Sequence, residues 1–173
     1  MTAYVALLRA VNVGGTGKLP MTELTAMCEK AGFAQVKTYI ASGNVVFTSG
    51  KGEAAVKAAL EKAMHDYAGK AVGVMVRTAA EMAAVAKANP FAKAPGNRVV
   101  AIFLDDTPPK GAAADAKHVD GEEIALGKRE IYVRYTDHGM AGSKLVIPAA
   151  KTGTARNMNT VAKLAEMAGA FSA

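Results

Sequence analysis

Tryptophan is absent from the 173 residues, cysteine occurs once, at Cys28, and aromatic side chains make up only 6% of the chain. So few rings argue against a surface that stacks many bases or sugars. One thiol excludes an internal disulfide and any structural metal site assembled from several thiolates. His65, His118 and His138 stand apart, without His-x-x-x-His or Glu-rich ligand spacing, so neither a metal nor a cofactor is expected. Long apolar runs are missing as well. Stretches such as Val99 to Leu104 fall far short of the roughly 20 residues that span a bilayer. The N-terminal segment has no basic leader and meets Arg9 too early for a signal peptide. A soluble, cytoplasmic protein is the expectation, in a compartment where a lone thiol stays reduced.

What is present suffices for a core. The apolar fraction is 51%, although 37 of these residues are alanine, and the length suits one domain or two small ones. Net charge is +6, and its placement is uneven. Residues 1–50 carry four basic and two acidic groups, 51–139 carry thirteen and twelve, and 140–173 carry four and one. The excess at the two ends predicts either a lysine-rich solvated surface or one basic surface for an anion.

Tyr4 to Val11 reads as a largely buried strand ending at Asn12-Val13-Gly14-Gly15-Thr16-Gly17. Pro20 then opens a helix with Met21, Leu24, Met27, Cys28 and Ala31 at helical spacing, stopped by Gly32. Val36 to Ala41 and Asn44 to Ser49 form a hairpin about Ser42-Gly43. A helix through Val56, Leu60, Met64 and Tyr67 follows. After it Val72, Val74 and Val76 alternate with Gly73, Met75 and Arg77, predicting a half-buried strand. This β-α-β-β-α-β order predicts an α+β protein whose residues 1–78 form a ferredoxin-like split βαββαβ subdomain. Residues 79–173 are expected to pack against it as a second small α/β subdomain. Thr78 and Glu81 make a capping-box pattern for a third helix. Val99 to Leu104 reads as a central strand, Thr107-Pro108-Pro109 as the start of a short Ala-rich helix, and Glu122 to Leu126 with Ile131 to Tyr135 as a hairpin. A last helix, capped by Asn157 or Asn159, buries Val161, Leu164 and Met167 and folds back to the first subdomain.

Three clusters carry candidate chemistry. The loop after strand one resembles a phosphate-cradling P-loop only at Gly17-Lys18, since Asn12 stands for the first glycine and Leu19 for the hydroxyl residue that holds magnesium. Triphosphate hydrolysis is therefore not expected, but backbone amides of Asn12, Gly14 and Gly15 beside Lys18 suit a simpler anion. In the split topology this loop and the Ser42-Gly43-Asn44 turn emerge at one edge, near Arg9. Arg9, following apolar Leu7 and Leu8, serves either as a structural donor to loop carbonyls or as a ligand group. In the third cluster, Thr152 to Thr160, Asn157 and Asn159 cannot both be the cap, and Arg156 at a helix N-terminus opposes the helix dipole. Asp105-Asp106 follows a central strand, where carboxylates often cap the next helix, and Asp137-His138 reads as a solvated turn. Cys28, on an apolar helix face, is a core residue.

Four runs together resemble a family of uncharacterised bacterial proteins, domain of unknown function 1697. They are Leu7 to Gly15; Lys18 to Met21 with Leu24; Tyr39 to Phe47; and Thr154 to Val161 with Lys163-Leu164. Where the family usually has Gly-Ile this chain has Ala10-Val11, and where it usually has Trp this chain has Met158. The resemblance implies a ferredoxin-like α/β architecture and no established activity.

The reading that accounts for most of these residues is binding of a small anionic, phosphorylated or similar metabolite. The ligand groups would be Arg9, Asn12, Gly14, Gly15, Lys18, Ser42, Gly43 and Asn44, with Arg156, Asn157 and Asn159 closing the site. Nucleic-acid binding is the alternative suggested by the basic charge and the strand order, although strands one and three offer only Tyr4 and Phe47 for stacking. An enzyme of unknown reaction is a third class, without a recognisable base.

Overall fold

The computed structural model describes residues 1–9, 18–40 and 43–171, and the chain divides into two compact units, residues 1–83 with 163–173, and residues 84–162. It is an α+β protein with two antiparallel four-stranded sheets among the described residues.

The first sheet contains β1 (Thr2–Leu8), β2 (Ala34–Thr38), β3 (Asn44–Ser49) and β4 (Val74–Thr78), in the order β2-β3-β1-β4. β1 and β2 each pair antiparallel with β3 and so run the same way, as a crossover between them requires. That crossover is α1 (Met21–Lys30). It stops where Gly32 adopts a φ of +91°, letting Phe33 N–H reach back to Cys28 O and Gly32 N–H to Glu29 O, both at 3.0 Å. The second crossover, α2 (Glu53–Ala68), ends on Gly69 with a φ of +72°.

Leu24 and Cys28 from α1 and Val56, Leu60 and Met64 from α2 bury against Tyr4, Ala6, Leu8, Val45, Phe47, Val74 and Val76. Phe47 stacks on Phe33 with centroids 4.4 Å apart, and Tyr4 sends its hydroxyl to Lys51 O at 2.7 Å. The other face of the sheet is also buried, through Val5, Leu7, Val46 and Met75. This corrects the half-buried expectation for β4: Arg77, read as an outward residue, is only 1% exposed, its Nη1 donating to Val76 O at 2.9 Å.

α3 (Ala79–Lys87) begins at the capping box read from the sequence. Glu81 N–H donates to Thr78 Oγ1 at 3.2 Å, and Thr78 N–H to Glu81 Oε1 at 2.8 Å.

The second sheet contains β5 (Val99–Phe103), β6 (Glu123–Leu126), β7 (Glu130–Arg134) and β8 (Thr154–Asn157), in the order β6-β7-β5-β8. Numbered within their own unit, these strands repeat the order of the first sheet. Turn segments stand where the first unit has helices, and they contribute Ala112 and Ile147 to a core with Val100, Ile102, Leu104, Ile131 and Val133. The short helix expected after Thr107-Pro108-Pro109 is therefore absent. Ala112 N–H bonds to Pro109 O at 3.0 Å and Asp115 N–H to Gly111 O at 2.9 Å, but the turns do not propagate. A run this short, with Gly111 inside it, cannot offset the cost of helix nucleation. β8 is a strand where the sequence predicts only the approach to the last helix, with Arg156 at its N-terminus. α4 (Met158–Ala170) follows it and buries Val161 and Leu164, while Met167 is half-buried.

Candidate functional site

In the first unit, Arg9 lies just beyond β1, and the backbone there is held on both sides. Leu8 N–H donates to Gly43 O at 2.9 Å and Arg9 N–H to Gly73 O at 2.8 Å. A Cβ built on Gly73 would touch Arg9 Cβ and Cδ at 3.6 Å, so the Arg9 side chain lies across this glycine. Arg9 is exposed although the seven residues before it form a strand buried from Ala3 onward. Gly43, with a φ of +86°, turns the chain into β3, a conformation that a Cβ would strain. Asn44 is fully buried, pairs with Leu7 across the sheet, and donates from Nδ2 to Tyr39 O at 3.0 Å. Its side chain closes the hairpin turn from within.

Lys18 is exposed, whereas its neighbour Leu19 is 3% exposed and packs in the core with Leu24 and Leu60. The residue that breaks the P-loop pattern thus anchors the start of α1. Asn12, Gly14, Gly15 and Ser42 lie outside the described residues.

The second cluster belongs to the other unit. Arg156 sits within β8, opposite Ala101, rather than at the helix N-terminus expected from the sequence. It is buried, and its Nη1 donates to Thr154 Oγ1 at 2.6 Å and to Ala155 O at 2.9 Å. Burial pulls the guanidinium pKa down to about 10, which leaves it charged at neutral pH. These two acceptors resolve the conflict with the helix dipole: Arg156 serves the strand edge that precedes the helix. Asn157 is the cap, accepting Thr160 N–H on Oδ1 at 2.9 Å. Asn159 is exposed, and its Oδ1 lies 2.1 Å from where a Gly96 Cβ would be, so Gly96 makes room for it. Met158 is a buried residue.

The remaining candidates have structural partners. No helix follows Asp105-Asp106; Asp105 O accepts Arg129 Nε at 2.9 Å. Asp137 pairs with Arg98 at 3.0 Å. Cys28 is fully buried, and burial first, then the charge of Glu29, pushes its thiol pKa up to about 12. Tyr4 and Phe47, the two rings considered for base stacking, lie in the core. No group of three or more His, Cys, Asp or Glu among the described residues is placed to hold a metal ion.

A family described as "Protein of unknown function (DUF1697)" matches residues 1–132, the greater part of the chain. The chain belongs to this family. The DUF1697 match takes in all of the first sheet and its helices together with β5, β6 and the start of β7. The solved structure of a conserved bacterial protein from Streptococcus pneumoniae superposes with a TM-score of 0.77 at 23% identity, covering 96% of this chain and 98% of that one. At that identity the likeness concerns the fold. No curated protein matches the DUF1697 chain.

Sequence reasoning missed two features. One is the buried Arg77, whose signal was a single cation in an otherwise apolar strand flanked by Val76 and the cap Thr78. The other is a polar cavity in the second unit, formed by residues too far apart in sequence to read as one motif.

Proposed function

We propose that the end of the first sheet where β1 stops binds a small anion, with Arg9 and Lys18 as its charged groups and Asn12, Gly14, Gly15, Ser42 and Gly43 as neighbouring donors. The carrying observation is the fixed root of Arg9. Two backbone bonds hold its position between Gly43 and Gly73, while its side chain remains exposed. A guanidinium so placed loses little conformational freedom on gripping an oxyanion with two parallel N–H donors. We assign the β-α-β-β-α-β unit to the ferredoxin-like class on its strand order, and the protein to the cytoplasm on its single buried thiol.

The C-terminal residues first considered with this site have duties within their own unit: Arg156 on the β8 edge, Asn157 as a cap and Asn159 against Gly96. Nucleic-acid stacking would require Tyr4 and Phe47 to leave the core, so the anion reading is the better supported.

Calorimetric titration with inorganic phosphate and with a nucleoside monophosphate tests it. The expected result is saturable binding that Arg9→Ala and Lys18→Ala each weaken by about tenfold or more. The melting temperature without ligand should shift by no more than about 2 °C. Equal binding by the variants, or none by the parent, overturns the proposal.

A further inference from the structure

The second unit contains a cavity of about 300 Å³ between residues 118–122 and 136–144. The two walls are joined at both ends. Lys117 N–H donates to Val146 O at 2.8 Å and Val146 N–H to Lys117 O at 2.9 Å. At the other end Glu122 accepts Asp120 N–H on Oε1 at 2.5 Å and the Ser143 hydroxyl on Oε2. Ser143 Oγ also accepts Leu145 N–H at 3.2 Å. Arg98 fixes the far wall by donating to Thr136 O at 2.9 Å and to Asp137 at 3.0 Å.

Glu122 is buried, 8% exposed, and the donors around it, Ser143 first and then the Asp120 amide, hold its carboxyl below the usual carboxylate range. The cavity therefore contains a fixed anionic group. Asp120, His118, His138 and Lys144 also line it, and among the described residues their side chains make no hydrogen bond or ion pair. Two carboxylates against one ammonium give this lining a formal charge of opposite sign to the chain's +6.

We propose that this cavity binds a small organic amine, its ammonium group held by Asp120 and Glu122 and its further N–H donors by the imidazole nitrogens of His118 and His138. A carboxylate offers about four lone-pair sites, so Glu122 keeps acceptor capacity beyond its internal bonds. The volume equals that of about ten water molecules at roughly 30 Å³ each, more than enough for a small diamine or amino alcohol. An anion would face two carboxylates. A divalent ion would need three convergent ligands, and the described residues do not supply them.

The test is titration of the intact protein with 1,4-diaminobutane, followed by calorimetry and by amide shifts in NMR spectra, with acetate as the anionic control. Saturable shifts confined to residues 117–122 and 136–146 are expected, with no response to acetate. Asp120→Asn should loosen binding by about fivefold, and Lys144→Glu, which removes a repelling charge and adds an attracting one, should tighten it by about the same factor. Both positions are exposed, so neither change endangers folding as Glu122→Gln would. Shifts spread over carboxylates elsewhere, such as Glu61 and Asp66, identical affinity in both variants, or saturation by acetate would each overturn the proposal. Site-confined saturation by a divalent cation with none by the diamine would do the same.

Discussion

Arg77 and Arg156 occupy equivalent positions in the two sheets. Each lies on an outer strand beside the central one, pairing with Val5 and Ala101 respectively, and each donates from Nη1 to the carbonyl of the preceding residue at 2.9 Å. The next residue, Thr78 or Asn157, caps the following helix by accepting the N–H three positions on. Both guanidinium groups are buried, at 1% and 7% exposure. An outer strand leaves alternate carbonyls without a strand partner, and a guanidinium folded back on its own strand supplies the missing donor.

Arg156→Ala should lower stability by about 2–4 kcal/mol, because it leaves the Thr154 hydroxyl and the Ala155 carbonyl without this donor and opens a void. Arg156→Lys should recover only part of the loss, since an ammonium lacks the planar fork. Urea denaturation of both variants measures this, and a change below about 0.5 kcal/mol for the alanine variant would refute the assigned role.

Cys28 ties stability to alkaline pH. Its folded-state pKa of about 12 lies above the ordinary 9.0, so the native fold prefers the protonated thiol. The contribution is complete below pH 9 and is lost as pH rises towards 12, with an upper limit of about 4 kcal/mol. The stability difference between the parent and Cys28→Ala should therefore narrow across that window, and a thiol reagent at pH 8 should label Cys28 only after denaturation.

Gly153→Ala should be strongly destabilising. A Cβ there would lie 2.7 Å from Phe103 O and within 3 Å of the Leu104 and Ile102 side chains, and the backbone oxygen cannot step aside. A loss of about 1–3 kcal/mol is expected from thermal unfolding.

Removal of the caps by Thr78→Ala and Asn157→Ala should cost about 1 kcal/mol each, and the double variant about the sum. A marked departure from additivity in chemical denaturation would mean that the two helix starts are coupled.

Phe47→Ala should cost about 3–5 kcal/mol through loss of the stack with Phe33 and the contact with Tyr4. Filter binding of single-stranded RNA at moderate denaturant-free temperatures, where the variant remains folded, should show no difference from the parent.

Local chemistry made the first unit legible. The spacing of Leu24 and Cys28, the stop at Gly32, the Thr78–Glu81 box and the Val-rich strands each acted within a few residues and agreed with one another. The second unit was harder to read because its crossovers are turns, and β8 carries Thr-Ala-Arg-Asn instead of alternating apolar residues. Strand pairing with β5 and the burial of Arg156, both non-local, make it a strand. Arg77 misled for a related reason: alternation identifies an outward face only when one face of a sheet meets water, and both faces of the first sheet are buried. In the proposed site, Arg9 and Lys18 draw attention by their sequence position beside a glycine-rich loop. The cavity around Glu122 depends on Ser143 approaching from 21 residues away.

The division of the chain has a consequence for the order in which the protein can fold during synthesis. Residues 163–173 belong with the first unit, and they include the buried Leu164 and Ala168 as well as Phe171, whose ring lies 5.8 Å from Lys37 Nζ. A ribosome makes this segment only after all of residues 84–162. Segments usually consolidate in the order in which they emerge, but here the earlier unit must wait, with part of its complement missing, while the later one becomes available in full.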